Sequence, residues 1–222
     1  MIVAERKTIP ELLGVVRDHE KLLVLGCGTC VTVCLAGGER EVGVIASALR
    51  MASKLAGSPV EVDELTIERQ CDNVFIEQAA DAIERNDAVL SLGCGAGVQA
   101  MAERYGDKPV YAGLDTAFIG ILEERGVWAE KCAACGSCVL SEFGGICPVT
   151  RCAKHLLNGP CGGSREDRCE VRPDSDCAWQ LIYQRLKDIG QLDRLRKIQP
   201  PKNWNSSLSG GSRVIVREDH RI

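Results

Sequence analysis

The sequence predicts a parallel α/β domain followed by a small, irregular, cysteine-rich metal-binding domain. Three observations carry this. Short apolar runs alternate with helical periodicity over the first 128 residues. Two of those runs end in Gly-Cys. From residue 129 onward, cysteine and glycine dominate and strand periodicity fades.

Leu22, Leu23, Val24 and Leu25 form a run without polar alternation, as a strand buried on both faces does, and Gly26 and Cys27 end it. Over 39–56, Val42, Ile45, Leu49 and Ala52 recur at helical spacing. Glu39 and Glu41 suit the amino end of that helix, Lys54 its carboxyl end, and Gly57 its stop. A more polar strand is predicted over 60–65. Asp72 suits the cap of a second helix with Ile76, Ala79, Ala80 and Ile83 as its apolar stripe. A third strand over 88–92 again ends in Gly93 and Cys94. Val98, Met101, Ala102 and Tyr105 mark a third helix, 109–114 a fourth strand, and Phe118, Ile121 and Leu122 a fourth helix. This strand–helix alternation implies a Rossmann-like parallel sheet, with ligands beyond the carboxyl ends of its strands.

The domain organisation follows: 1–128 an α/β domain with a metal-cluster site at its rim, 129–199 a cysteine-rich metal-binding domain, and 200–222 a tail. Trp179, Ile182, Tyr183 and Leu186 predict a helix over 177–187. After Pro200 and Pro201 the chain is rich in glycine and serine, and reads as a disordered end or an arm that docks on a partner.

With 45% hydrophobic and 26% charged residues, the composition is that of a globular protein. A net charge of −4 with scattered Lys and Arg argues against nucleic acid or an anionic membrane as partner. No apolar run approaches the roughly 18 residues of a membrane span. The first 13 residues lack the pattern of a secretion signal, so a cytoplasmic location is expected.

Thirteen cysteines are far too many for inert buried thiols in a reducing compartment. Cys132, Cys135 and Cys138 form the C-x2-C-x2-C run of ferredoxin-type iron–sulfur loops, and Cys147, followed by Pro148, is a candidate fourth ligand at a spacing that departs from that pattern. Cys152, Cys161, Cys169 and Cys177 make a second four, whose wide spacing suits a cluster or a closed zinc site. His155, three residues after Cys152, is an alternative ligand there. In the first domain Cys27, Cys30 and Cys34 lie on one loop, with Cys94 as first choice and Cys71 as second to complete their site.

Two other chemistries fit parts of these motifs. The glycines flanking Cys27 and those of 93–97 resemble phosphate loops, with Asp63 imitating a ribose-binding acid. Val31, however, stands where the third glycine of a dinucleotide fingerprint belongs. A nucleophilic thiol needs a histidine base, and His19, His155 and His220 belong to no such signature.

The order of these motifs carries a resemblance. Cys132 to Cys138, Gly144-Gly145-Ile146-Cys147-Pro148, Arg151-Cys152, Leu157 to Gly163, Cys169, and Asp176-Cys177-Ala178-Trp179 follow one another as in the methylenetetrahydrofolate reductase C-terminal domain family. The Gly26–Cys34 segment, Arg69 to Asp72 and Gly93 to Gln99 extend the likeness to nearly the whole chain. The resemblance implies a small non-catalytic subunit that binds a MetF-like flavin reductase in one-carbon metabolism. It implies iron–sulfur clusters, up to three of the [4Fe–4S] type with zinc as an option at one site, on all thirteen cysteines. It places FMN on the partner only, and implies an upstream electron-donating subunit or ferredoxin.

Overall fold

The computed structural model describes residues 1–220 and divides into two units, Met1–Ala129 and the chain from Glu130 onward. In chain order the first unit contains β1 (Ile2–Arg6), α1 (Ile9–Val16), β2 (Lys21–Cys27), α2 (Cys30–Val33), α3 (Glu39–Leu55), β3 (Glu61–Ile67), α4 (Asn73–Ile76), α5 (Ala80–Glu84), β4 (Ala88–Ser91), α6 (Gly95–Arg104), β5 (Val110–Ala112) and β6 (Leu114–Glu124). The strand β7 (Val127–Cys132) crosses the division between the units.

A four-stranded parallel sheet runs in the order β3-β2-β4-β5. Alternation along β2 explains its two faces. Leu22 and Val24 join Leu12, Val42, Ile45, Leu49 and Leu90 in one core, under α1 and α3. Leu23 and Leu25 join Ile76, Ile83, Val89 and Met101 in the other, under α4, α5 and α6. Each of these wholly buried leucines contributes roughly 1.5–3 kcal/mol. Helix starts are written in the sequence. Thr8 and Glu11 form a capping box at α1, and the Asp72 carboxylate accepts the Val74 N–H at 3.1 Å to start α4. The second predicted helix is broken: a 3-10 turn, Glu77–Ala79, separates α4 from α5.

The fourth predicted helix is a strand. Phe118, Ile121 and Leu122 lie on β6, the centre of an antiparallel sheet β1-β6-β7. Ile2 pairs with Ile119 and Arg6 with Leu114, while Arg125 and Gly126 turn β6 into β7. Gly126 takes the positive φ, +89°, that such a hairpin favours. The apolar spacing fits a helix, but pairing with the amino-terminal strand decides the outcome.

The second unit contains α7 (Pro148–Arg151) and α8 (Ala178–Asp188). Its core is small: Phe143, Cys177, Trp179, Ile182 and Leu186, with Phe143 edge-on to Trp179 at 5.5 Å. So little apolar burial fits a domain stabilised by bound metal. Over the first half of the predicted tail, Lys202, Ser206 and Arg213 hydrogen-bond to the Cys132–Cys138 loop, and Gln199 just before it pairs with Asn158. Residues 221 and 222 of the predicted tail lie outside the described residues. Among the described residues no helix is long and apolar enough to cross a membrane.

Candidate metal centres

Strand order positions the first centre. β2 and β4 are neighbours, but the chain leaves β2 for β3 at one side and leaves β4 for β5 at the other. A crevice opens beyond the carboxyl ends at such a switch point. Cys27 is the last residue of β2, Cys94 is the N-cap of α6 just after β4, and Cys71 lies in the loop after β3. Cys30 is the first residue of α2, three residues after Cys27.

Gln70 draws Cys71 to this rim. Its side chain is fully buried. The amide Nε2 donates to the Leu25 carbonyl at 2.8 Å, and Oε1 accepts the Ser91 hydroxyl at 2.5 Å. Leu25 and Ser91 are register partners on β2 and β4, so Gln70 staples the loop across the switch point. The glycines nearby serve this residue. A Cβ on Gly93 would lie 2.6 Å from Gln70 Oε1, and one on Gly97 would lie 2.8 Å from Gln70 Cβ. These glycines therefore have a packing role that owes nothing to phosphate.

Asp63 does not sit at a strand end. It is opposite Leu23 in register, four residues and about 13 Å before the carboxyl edge of β3. Arg85 and Asn86 hydrogen-bond its carboxylate at 2.8 and 3.0 Å and hold its pKa below the usual carboxylate range.

The five thiols of this unit do not behave alike. Burial pushes the Cys71 thiol up in pKa, and the charges of Cys94 and Cys27 push it further. Such crowding of thiols is what a bound cation relieves. Cys34 is elsewhere: it is 7% exposed, its thiol contacts the Val31 and Ala4 carbonyls at 3.5 and 3.7 Å, and burial raises its pKa. Cys34 is thus engaged against β1, whereas Cys27 and Cys94 lie near enough to Cys71 for their charge to act on its thiol.

In the second unit, Cys132 ends β7 and its sulfur accepts the Ala134 N–H at 3.4 Å. Cys135 and Cys138 follow on a loop with left-handed backbone at Ala134 and Gly136, φ +50° and +78°. Cys147 caps α7, with Pro148 as its first residue. The other four converge more tightly. Cys152, Cys161, Cys169 and Cys177 all line one cavity of about 20 Å³ beside Trp179. Cys152 ends α7, Cys177 caps α8 and donates its N–H to Asp167, and the Cys169 N–H donates to Ser175. The Gly163 N–H donates to the Cys161 sulfur at 3.4 Å and lowers its pKa, helped by Lys154. His155 is absent from this lining; its Nδ1 bonds the Val149 carbonyl.

An all-sulfur donor set suits zinc or iron–sulfur clusters, and backbone N–H groups already directed at sulfur suit bound thiolates. Among the described residues no three Cys, His, Asp or Glu side chains stand close enough together to hold a metal ion. Sulfur is the only donor type the cysteine sets offer, and it is the donor a thiolate metal centre uses.

Fold and thiols together define a class: a parallel α/β unit with thiols at its rim, continued by a cysteine-rich unit built around two sets of four. Residues 111–205, which include all eight cysteines of the second unit, match the family model described as methylene-tetrahydrofolate reductase C terminal. This is the family whose cysteine motifs the sequence resembles. No curated protein and no solved structure gives a significant match.

Proposed function

We propose that the chain is the iron–sulfur electron-transfer subunit of a methylenetetrahydrofolate reductase, of the type called MetV. It docks on a MetF-like flavin reductase and performs no folate chemistry itself. Bound clusters supply one-electron steps between an upstream electron-donating subunit or ferredoxin and FMN on the partner. The chain's own residues hold and tune those centres. Cys132, Cys135, Cys138 and Cys147 form one ligand set, and Cys152, Cys161, Cys169 and Cys177 another. Cys27, Cys71 and Cys94, with Cys30 beside them, form the rim set. Hydrogen bonds from Ala134 and Gly163 N–H groups stabilise negative charge on sulfur and favour the reduced state.

The observation that carries this reading is the convergence of four cysteines on one cavity inside the segment matched to the reductase family. A second reading has its own support. Four cysteines lining one cavity are equally the donor set of a closed structural zinc site, which would make the second unit a scaffold.

Iron, zinc and acid-labile sulfide per chain, with the visible spectrum of anaerobically purified protein, test both. About twelve irons with matching sulfide support three four-iron clusters, and about eight with one zinc support two clusters and a structural zinc. Zinc without iron, after intact anaerobic handling, overturns electron transfer. Co-purification with the flavin reductase tests the docking.

A further inference from the structure

We propose that the segment from Gln199 to Arg213 is a strap that holds the Cys132–Cys138 loop in its metal-binding shape and sets the charge around the centre formed there. The inference rests on the reading of that loop as a metal centre.

The strap is anchored at both ends. At its start, the Gln199 N–H donates to Asn158 Oδ1 at 2.7 Å and Asn158 Nδ2 donates to the Gln199 carbonyl at 3.0 Å. It then crosses the loop and binds three of its carbonyls. Lys202 Nζ donates to Ser137, the Ser206 hydroxyl to Cys135 at 3.2 Å, and Arg213 Nη2 to Ala134 at 3.1 Å. The other arm of the Arg213 guanidinium holds the Ser206 carbonyl, so one planar fork ties strap to loop. Lys202 is steadied over the Trp204 ring at 5.7 Å.

Two consequences follow. The loop contains two residues in left-handed backbone, one of them the non-glycine Ala134, and these persist only when surroundings hold them. The strap supplies that hold. With the carbonyls engaged from outside, the loop's N–H groups remain for sulfur, as Ala134 already shows. The second consequence is electrostatic. Two cations contact a loop that carries three thiols, and reduction adds a negative charge to the centre, so Lys202 and Arg213 favour metal retention and raise the reduction potential. The fit is close: a Cβ on Gly136 would lie 2.0 Å from the Ser206 carbonyl oxygen.

The experiment compares full-length, anaerobically loaded wild type with Arg213→Ala, Arg213→Lys and Gly136→Ala. Three readouts are metal release to a chelator, midpoint potential by spectroelectrochemistry, and hydrogen exchange of the 132–138 peptide in metal-free chain. Arg213→Ala is expected to release metal from this loop about tenfold faster, equivalent to about 1.4 kcal/mol, with a lowered potential and faster exchange. Arg213→Lys should recover the potential but not the release rate, because lysine's single, shorter-reaching nitrogen lacks the planar pair of nitrogens with which Arg213 spans the two carbonyls. Gly136→Ala should release metal as fast as Arg213→Ala. A metal-bearing loop whose release, potential and exchange ignore Arg213→Ala overturns the strap alone. A wild-type loop that holds no metal overturns the proposed function and the tuning role with it.

Discussion

Removing the Gln70 side chain tests how the first unit assembles its rim. In Gln70→Ala the Leu25 carbonyl keeps a partner, the Leu92 N–H at 2.8 Å. Ser91 fares worse. Its hydroxyl is fully buried and still accepts the Gly93 N–H at 3.1 Å, but its own proton loses the Gln70 acceptor. A stranded buried donor costs about 1–3 kcal/mol. The space left by the missing amide adds roughly 1 kcal/mol. The expected loss is therefore about 2–4 kcal/mol, or a urea midpoint lower by roughly 1–2 M at an m-value of about 2 kcal/mol/M. Hydrogen exchange of peptides covering Leu22–Leu25 and Ala88–Ser91, in reduced metal-free chain across a urea series, reads the first unit separately from the second. Replacing Ser91 by Ala in the same chain removes the stranded hydroxyl, so the double variant should recover about 1–2 kcal/mol relative to additivity. Cys71 should also alkylate faster, since its loop loses the staple. A loss below about 0.5 kcal/mol, or strict additivity of the two changes, would refute the account of Gln70 as the residue that holds the rim together.

Two further outcomes are expected. Cys94→Ser should lower the metal held by the first unit, whereas Cys34→Ala should leave it unchanged, because the Cys34 thiol is engaged with the Ala4 and Val31 carbonyls; loss of metal in Cys34→Ala would return Cys34 to the rim set. Asp63 has a folded pKa lowered by Arg85 and Asn86, so its stabilising contribution is present above the unfolded value and lost as pH falls through the folded one. Acid unfolding of the first unit in Asp63→Asn should accordingly depend less steeply on pH below about 4 than in wild type, and an unchanged slope would deny that linkage.

Much of the scaffold was legible because its signals are local. The unbroken run Leu22–Leu25, the helical spacing of Val42, Ile45 and Leu49, and the cap at Asp72 are decided by neighbours within a turn or two, and they define the parallel sheet and its carboxyl rim. The thiols closest in sequence were legible for the same reason, since a C-x2-C-x2-C spacing brings three sulfurs onto one short loop whatever surrounds it. The segment around Phe118 was misread as helix because its spacing permits both periods. The choice was made by β1, which pairs with it from more than 100 residues away.

The sequence by itself thus determined most of the parallel sheet and its helices, and which residues are candidates for the chemistry. Only the tertiary structure decided where each thiol of the first unit sits. Gln70 fixes the Cys71 loop through hydrogen bonds across two strands, and Cys34 is buried against β1. The tail shows the same division. Its composition signalled loop, but the carbonyls of the Cys132–Cys138 loop gave Lys202, Ser206 and Arg213 acceptors that no local pattern announces. The physical reason is one of range: backbone periodicity is set by steric preferences between near neighbours, whereas the partners of a buried polar group are set by which distant segments the packed core brings within hydrogen-bonding reach.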